Sequence, residues 1–251
     1  MQIGLVGSGN MARALALGWD EAVLCTDSGS GRAQELAALV GGQALGSNRE
    51  LAERADVVVL AHKPAQLAAV AQEIAGTAKA VVSLLARTTQ AEVRTAYPET
   101  PVFRVEPNTP VEVRQGVIAF AVPDVPVDPE VHAAVRDLFT RVGTVVDIPE
   151  SLMPIAGATH GVGPAYWAVL VEAQVDAAIR RGMPSGLAAT LVTEAMAGSA
   201  ALLRARNHDT LAMRRAVASP GGSTARGLAA LERGGVRAAF SQAMDDVVDP
   251  A

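Results

Sequence analysis

The feature that most constrains this 251-residue chain is its opening, QIGLVGSGNMARAL. An apolar run at 2–7 leads into Gly7-Ser8-Gly9-Asn10-Met11-Ala12, which fits G-x-G-x-x-[G/A] between a strand and a helix. In that context the first glycine makes the tight turn. The second lets the backbone approach a pyrophosphate, and Ala12 lets helix pack closely on strand. The helix N-terminus adds N–H groups and a positive dipole end. The loop therefore predicts a dinucleotide-binding α/β unit, with Gly7, Ser8, Gly9, Asn10 and Met11 at the cofactor.

The rest of the first 148 residues agrees. Short apolar runs at 2–7, 22–26, 56–61, 80–85, 102–106, 117–122 and 144–148 read as strands of a sheet covered on both faces. Helical patterns at 10–19, 31–40, 64–75 and 89–96 alternate with them. After residue 151 no strand run follows. Segments 163–182, 185–205, 208–217, 222–234 and 236–247 all read as helices. The expected plan is a doubly wound Rossmann-like domain over 1–149 and an all-helical domain over 150–251. The stretch GPAYWAVLVEAQVDAAI is apolar nearly all round, which predicts burial on every side and a partner subunit to supply it.

Composition removes several classes. A net charge of −5 without a basic run opposes nucleic-acid binding. The single Cys25 excludes an intrachain disulfide and a cysteine-based zinc site, and no metal site is expected. No run of 18 uncharged apolar residues and no signal-like start are present, so a soluble, cytoplasmic protein without a membrane partner is expected.

Asp27 follows the second strand, twenty residues after Gly7. An acid there binds ribose hydroxyls and repels a 2′-phosphate, which favours NADH. Ser28, Ser30 and Arg32 follow at once and would instead suit the phosphate of NADPH. His62, Lys63 and Pro64 end another strand at the ligand edge of such a sheet, and Asn108 in EPNTP (106–110) is expected to face the nicotinamide.

IGLVGSGNMARAL, HKP, RVEPNTP, VGPAYW and SPGGST, in this order, resemble the pyrroline-5-carboxylate reductases. The resemblance runs along essentially the whole chain, including LERGGVRAAFSQAM (231–244). It implies reduction of the C=N bond of 1-pyrroline-5-carboxylate to L-proline with NAD(P)H. It also implies a helical domain that makes a homodimer and higher assemblies. By the same resemblance Ser219, Gly221, Gly222, Ser223 and Thr224 hold the substrate carboxylate. Thr224 hydrogen-bonds the ring nitrogen, and Ser219 and Thr224 act at the catalytic centre.

The chain departs from the family's pattern in one neighbourhood. His160 and Val162 stand where two serines are usual, Glu106 replaces a methionine, and Leu85 and Arg87 replace alanine and glycine. His160, with Glu106 as a partner, is a candidate acid–base group, and Glu106 and Val162 are candidate substrate contacts. These changes leave two alternatives open: a reductase of a different cyclic imine or imino acid, or a regulatory homologue that binds cofactor without turnover. A β-hydroxyacid dehydrogenase needs a lysine in its helical domain, and no lysine follows Lys79.

Overall fold

A computed structural model describes residues 1–249. They form two compact units, 1–164 and 165 onward. The first holds strands β1 (Ile3–Val6), β2 (Leu24–Thr26), β3 (Gln43–Ala44), β4 (Val57–Leu60), β5 (Val81–Ser83), β6 (Val102–Pro107), β7 (Gly116–Ala121) and β8 (Gly143–Ile148). Its helices are α1 (Asn10–Trp19), α2 (Arg32–Val40), α3 (Asn48–Arg54), α4 (Leu67–Ile74), α5 (Gln90–Ala96), α6 (Pro129–Thr140) and the short α7 (Met153–Ala156). The helical unit follows with α8 (Gly163–Ile179), α9 (Ser185–Ala205), α10 (Thr210–Val217), α11 (Ser223–Arg233) and α12 (Val236–Val248).

The eight strands form one sheet in the order β3-β2-β1-β4-β5-β6-β7-β8. β1 to β6 are parallel, β7 runs antiparallel to β6, and β8 is parallel to β7. This is the Rossmann-like sheet expected from the strand–helix alternation. The near-continuous apolar runs are explained by burial on both faces. Val57 and Val59 enter a core with Leu15, Trp19, Phe103 and Phe139, while Val58 and Leu60 enter the opposite core with Leu51, Ile74 and Tyr97. Side chains alternate along a strand, so one VVVL segment serves two layers. β8 is the exception: it is an edge strand, and Val146 is 43% exposed.

Four elements lie outside the segments predicted from sequence: β3, α3, α6 and α7. β3 is only two residues long. α3 begins at Ser47, whose hydroxyl accepts from the Glu50 N–H at 3.2 Å. Its S-x-x-E signature is a recognisable helix start. The first unit also runs past the expected boundary at 149/150, to Pro164. Met153 of α7 is fully buried against Ala119 and Ala121 of β7, so these residues close the sheet.

The helical unit presents a different surface. Ala188 is the only buried residue described between Ala165 and residue 249. Trp167 is 53% and Val169 61% exposed on α8, the helix expected to be buried all round. In the single chain that burial is absent. α9 is long and apolar enough, by length and composition, to cross a membrane, although Glu194 lies within it.

α1 sets the depth of the glycine loop against the sheet, and Gly18 is where it fits. A Cβ at Gly18 would collide with the Val111 carbonyl. Gly18→Ala is expected to destabilise the protein by about 1–3 kcal/mol through this overpacking, read as a lowered midpoint in urea unfolding.

Candidate active site

The crevice is built at the carboxyl ends of β1, β2 and β4. Gly7 leaves β1 at φ +100°, a conformation that favours glycine. A Cβ there would lie 2.7 Å from the Ala61 carbonyl carbon and the His62 nitrogen. Gly9 precedes α1 with extended backbone and no side-chain cap, and a Cβ on it would meet nothing within 4 Å. The first glycine is thus required by the protein itself. The second leaves open space beside uncapped helix N–H groups, which suits an approaching phosphate.

A cavity of about 480 Å³ opens over this loop. Of the residues expected at a cofactor, Gly7, Ser8, Gly9, Asp27, Ser28, Arg32, His62 and Lys63 line it, as does Ser30. Asn10, Met11, Pro64 and Asn108 are outside the lining. Met11 packs against the hydrophobic core. The lining also includes Gly46, Ser47, Asn48, Gln66 and Glu73, which the sequence reading did not name. Asn48 accepts from the Thr26 hydroxyl at 2.6 Å and donates to Glu73 at 2.9 Å, so it ties the α3 start to β2 and α4. The helix-start signature at Ser47 was the available signal for this side of the cavity.

Asp27 organises its own loop. Its carboxylate accepts from the Gly29 N–H at 2.7 Å, the Ser30 hydroxyl at 2.8 Å and the Ala33 N–H at 3.0 Å. The last bond caps α2, whose N-cap Gly31 has no side chain. Slight burial pushes the Asp27 carboxyl up, but the bonds from Ala33, Ser30, Gly29 and Arg32 outweigh it and hold the group below its ordinary value. An ionised carboxylate therefore stands at this end of the cavity at neutral pH.

The Ser8 hydroxyl is turned inward and donates to the Thr26 carbonyl at 3.0 Å. His62 Nδ1 lies 2.9 Å from the Lys63 carbonyl and so carries the proton. Its Nε2 is buried without a partner, and burial lowers the histidine pKa, which keeps the ring neutral.

The departures from the family pattern gather at the end of β6. Asn108 is buried, with its amide committed to the fold: Oδ1 accepts from the Val117 N–H at 2.8 Å, and Nδ2 donates to the His160 carbonyl at 3.1 Å. His160 lies in a π-helical turn, Gly157–Gly161, with Nδ1 2.6 Å from the Ala156 carbonyl and Nε2 2.7 Å from the Glu106 carbonyl. Neither ring nitrogen is free, so the acid–base role expected of His160 does not fit this geometry. The Glu106 carboxylate packs on the same turn, where a Cβ on Gly157 would strike it. Burial pushes the Glu106 carboxyl up, opposed by the positive charges of His160 and Arg104. Val162 follows the turn and donates its N–H to the Gly157 carbonyl at 3.2 Å. Arg87 is solvent-exposed.

In the helical unit, Ser219 to Thr224 form a turn that opens α11. The Gly222 N–H donates to the Ser219 carbonyl at 3.0 Å, and Gly221 has φ +70°. Gly222 is packed so closely on the Ser219 hydroxyl that a Cβ would collide with it. No side chain caps α11, so neither Ser219 nor Ser223 satisfies the first-turn N–H groups. Those donors are available to an anion.

Comparison with known proteins gives two family matches. Residues 150–251 match the model for pyrroline-5-carboxylate reductase dimerisation, and residues 2–87 match that for NADP oxidoreductase coenzyme F420-dependent. A Synechocystis pyrroline-5-carboxylate reductase is 31% identical over 97% of this chain and 94% of its own length. One from Thermus thermophilus is 33% identical over 98% and 95%. The solved 1-pyrroline-5-carboxylate reductase of Streptococcus pyogenes superposes with TM-score 0.90 at 29% identity, over 99% of this chain and 97% of that one. A Plasmodium falciparum pyrroline carboxylate reductase with NADP bound gives TM-score 0.88 at 26% identity, over 99% and 96%.

The two glycines separate structure from binding. Gly9→Ala should leave the thermal midpoint unchanged, because its Cβ meets no protein atom. It should weaken dinucleotide binding on the order of tenfold or more by obstructing the phosphates. Gly7→Ala should lower both. Thermal unfolding and a nicotinamide fluorescence titration read the two effects; unchanged affinity in Gly9→Ala would rule out the loop as the phosphate site.

Proposed function

The chain belongs to the pyrroline-5-carboxylate reductase family, and on that footing we propose that it reduces the C=N bond of 1-pyrroline-5-carboxylate to L-proline with NAD(P)H. The observation that carries the reading is that each unit, taken by itself, holds a prepared anion site: an open glycine loop in the sheet unit and an uncapped turn in the helical unit. The first fits the pyrophosphate of a dinucleotide. The second fits the single carboxylate of the imino acid.

When bound, the nicotinamide supplies a hydride to the imine carbon. The chain supplies positioning. Ser219 and the N–H groups of Gly222, Ser223 and Thr224 hold the carboxylate at the start of α11, next to Gly221. Thr224 hydrogen-bonds the ring nitrogen. A hydroxyl is a weak acid at neutral pH, so Thr224 orients an imine that is already protonated or relays a proton from water. The rate then comes from fixing the electrophilic carbon. The apolar faces of α8 and α9, uncovered in the single chain, are the surface of a homodimer, in keeping with the dimerisation model matched by these residues.

For the cofactor we favour NADH. The ionised Asp27 carboxylate stands where it would repel a 2′-phosphate. Arg32 lines the same cavity and supports the NADPH reading, as does the NADP in the Plasmodium relative. Asp27→Ser should shift the ratio of kcat/KM for NADPH over NADH upward by about tenfold or more. A ratio that does not move would remove Asp27 as the discriminator.

The test of the reaction follows NADH and NADPH absorbance with DL-pyrroline-5-carboxylate. Turnover is expected, with Thr224→Ala slowed by about tenfold to a hundredfold and Ser219→Ala raising KM sharply. Cofactor binding without turnover would favour the non-catalytic reading. Turnover only with another cyclic imine would move the substrate, and the changed residues Glu106, His160 and Val162 are the observation behind that second reading.

A further inference from the structure

We infer that His160 is a positioning residue of the reductase site, held as an imidazolium by two backbone carbonyls and balanced by the Glu106 carboxylate, so that the two residues work as one unit. The ring nitrogens lie 2.6 Å from the Ala156 carbonyl and 2.7 Å from the Glu106 carbonyl. A carbonyl oxygen only accepts. A neutral imidazole has one N–H and would turn a lone pair on one of these oxygens. Only the doubly protonated ring donates to both.

The counter-charge is in place. The Glu106 carboxylate lies against the π-helical turn that carries His160, where a Cβ on Gly157 would strike Oε1 and one on Gly161 would sit 3.4 Å from it. No donor among the described residues bonds its side chain; burial raises its carboxyl, and the charges of His160 and Arg104 oppose that rise. Arg104, two residues back on the same face of β6, is itself paired with Glu150 at 2.9 Å. The order is Glu150 negative, Arg104 positive, Glu106 negative, His160 positive. Glu92 and Arg94 of α5 lie at the outer end of this series, near Arg104 and Glu150. The π turn carries no other titratable group, and β7 places Ala119 opposite Glu106.

His160 grips the end of β6 on two sides. Its ring holds the Glu106 carbonyl, and its own carbonyl accepts from the Asn108 amide at 3.1 Å. Glu106-Pro107-Asn108 is thereby bracketed at the carboxyl end of a parallel strand, the edge at which open α/β sheets bind ligands. A methionine and a serine would offer no such grip. The exchange of both together keeps the buried charges matched, whereas either alone leaves one uncompensated.

The test has two arms, of which only the kinetic one rests on the reductase reading. In the first, NMR of 15N-histidine-labelled protein, with His160→Gln assigning the signal among four histidines, should show both ring nitrogens of His160 protonated at neutral pH. A neutral ring would overturn the proposal, whatever the enzyme reduces. In the second, Glu106→Met and His160→Ser should each lower kcat/KM on the order of tenfold, mainly through kcat, and the double variant should recover most of the loss. Additive losses would overturn it. Should a single variant fail to fold, the wild-type spectrum still decides. A protein that binds NADH but reduces no imine would sink the reductase reading and leave the spectrum to judge the pair.

Discussion

Everything at the cofactor edge depends on the contact of Gly7 with the backbone of Ala61 and His62. β1 and β4 are neighbours in the sheet, and their ends meet where the chain turns into α1. A side chain at Gly7 would force these strand ends apart. With glycine there, β1 hands the chain directly to α1, and the helix N-terminus lies over the crevice. Ala12 and Leu15, both fully buried, hold α1 on the sheet. The proposed anion site is a by-product of that packing, because the first-turn N–H groups have no partner within the helix.

The two proposed anion sites use the same device in different ways. At Gly9 the space is open and the backbone is ordinary, so the glycine leaves room for a ligand. At Gly222 the Ser219 hydroxyl already fills the space a Cβ would need, so the glycine serves the turn. In both, the absence of a side-chain cap leaves helix donors unspent. Asp27 shows the opposite arrangement, a carboxylate that caps α2 from outside and holds the loop that carries Ser28 and Ser30. The effect on cofactor choice proposed for it would act through charge, since its oxygens are engaged locally.

The helical unit has almost no core of its own. An α8 with Trp167 and Val169 exposed is a costly surface for an isolated chain. The burial that its composition demands has to come from other protein surface, which is why a sequence that looks over-hydrophobic for its length is consistent with dimerisation. The expectation of burial on every side fails for the single chain, and cover by a second subunit is what the proposed homodimer would supply.

The sequence alone determined the architecture, because strand and helix periods are local. VVVL at 57–60 and the glycine loop announce a buried parallel sheet and its phosphate turn without any knowledge of neighbours. The S-x-x-E start at Ser47 was equally legible and was passed over, while the two-residue β3 carries no period to detect. What the tertiary structure alone decided is where polar side chains spend their hydrogen bonds. Asn108 reads as a ligand contact in EPNTP, yet its amide joins β7 to the π turn. His160 reads as an acid, yet carbonyls from Ala156 and from distant Glu106 take both nitrogens. The physical reason is range: a hydrophobic period is written in adjacent residues, whereas the partner of a buried polar atom is set by segments fifty residues apart that only folding brings together.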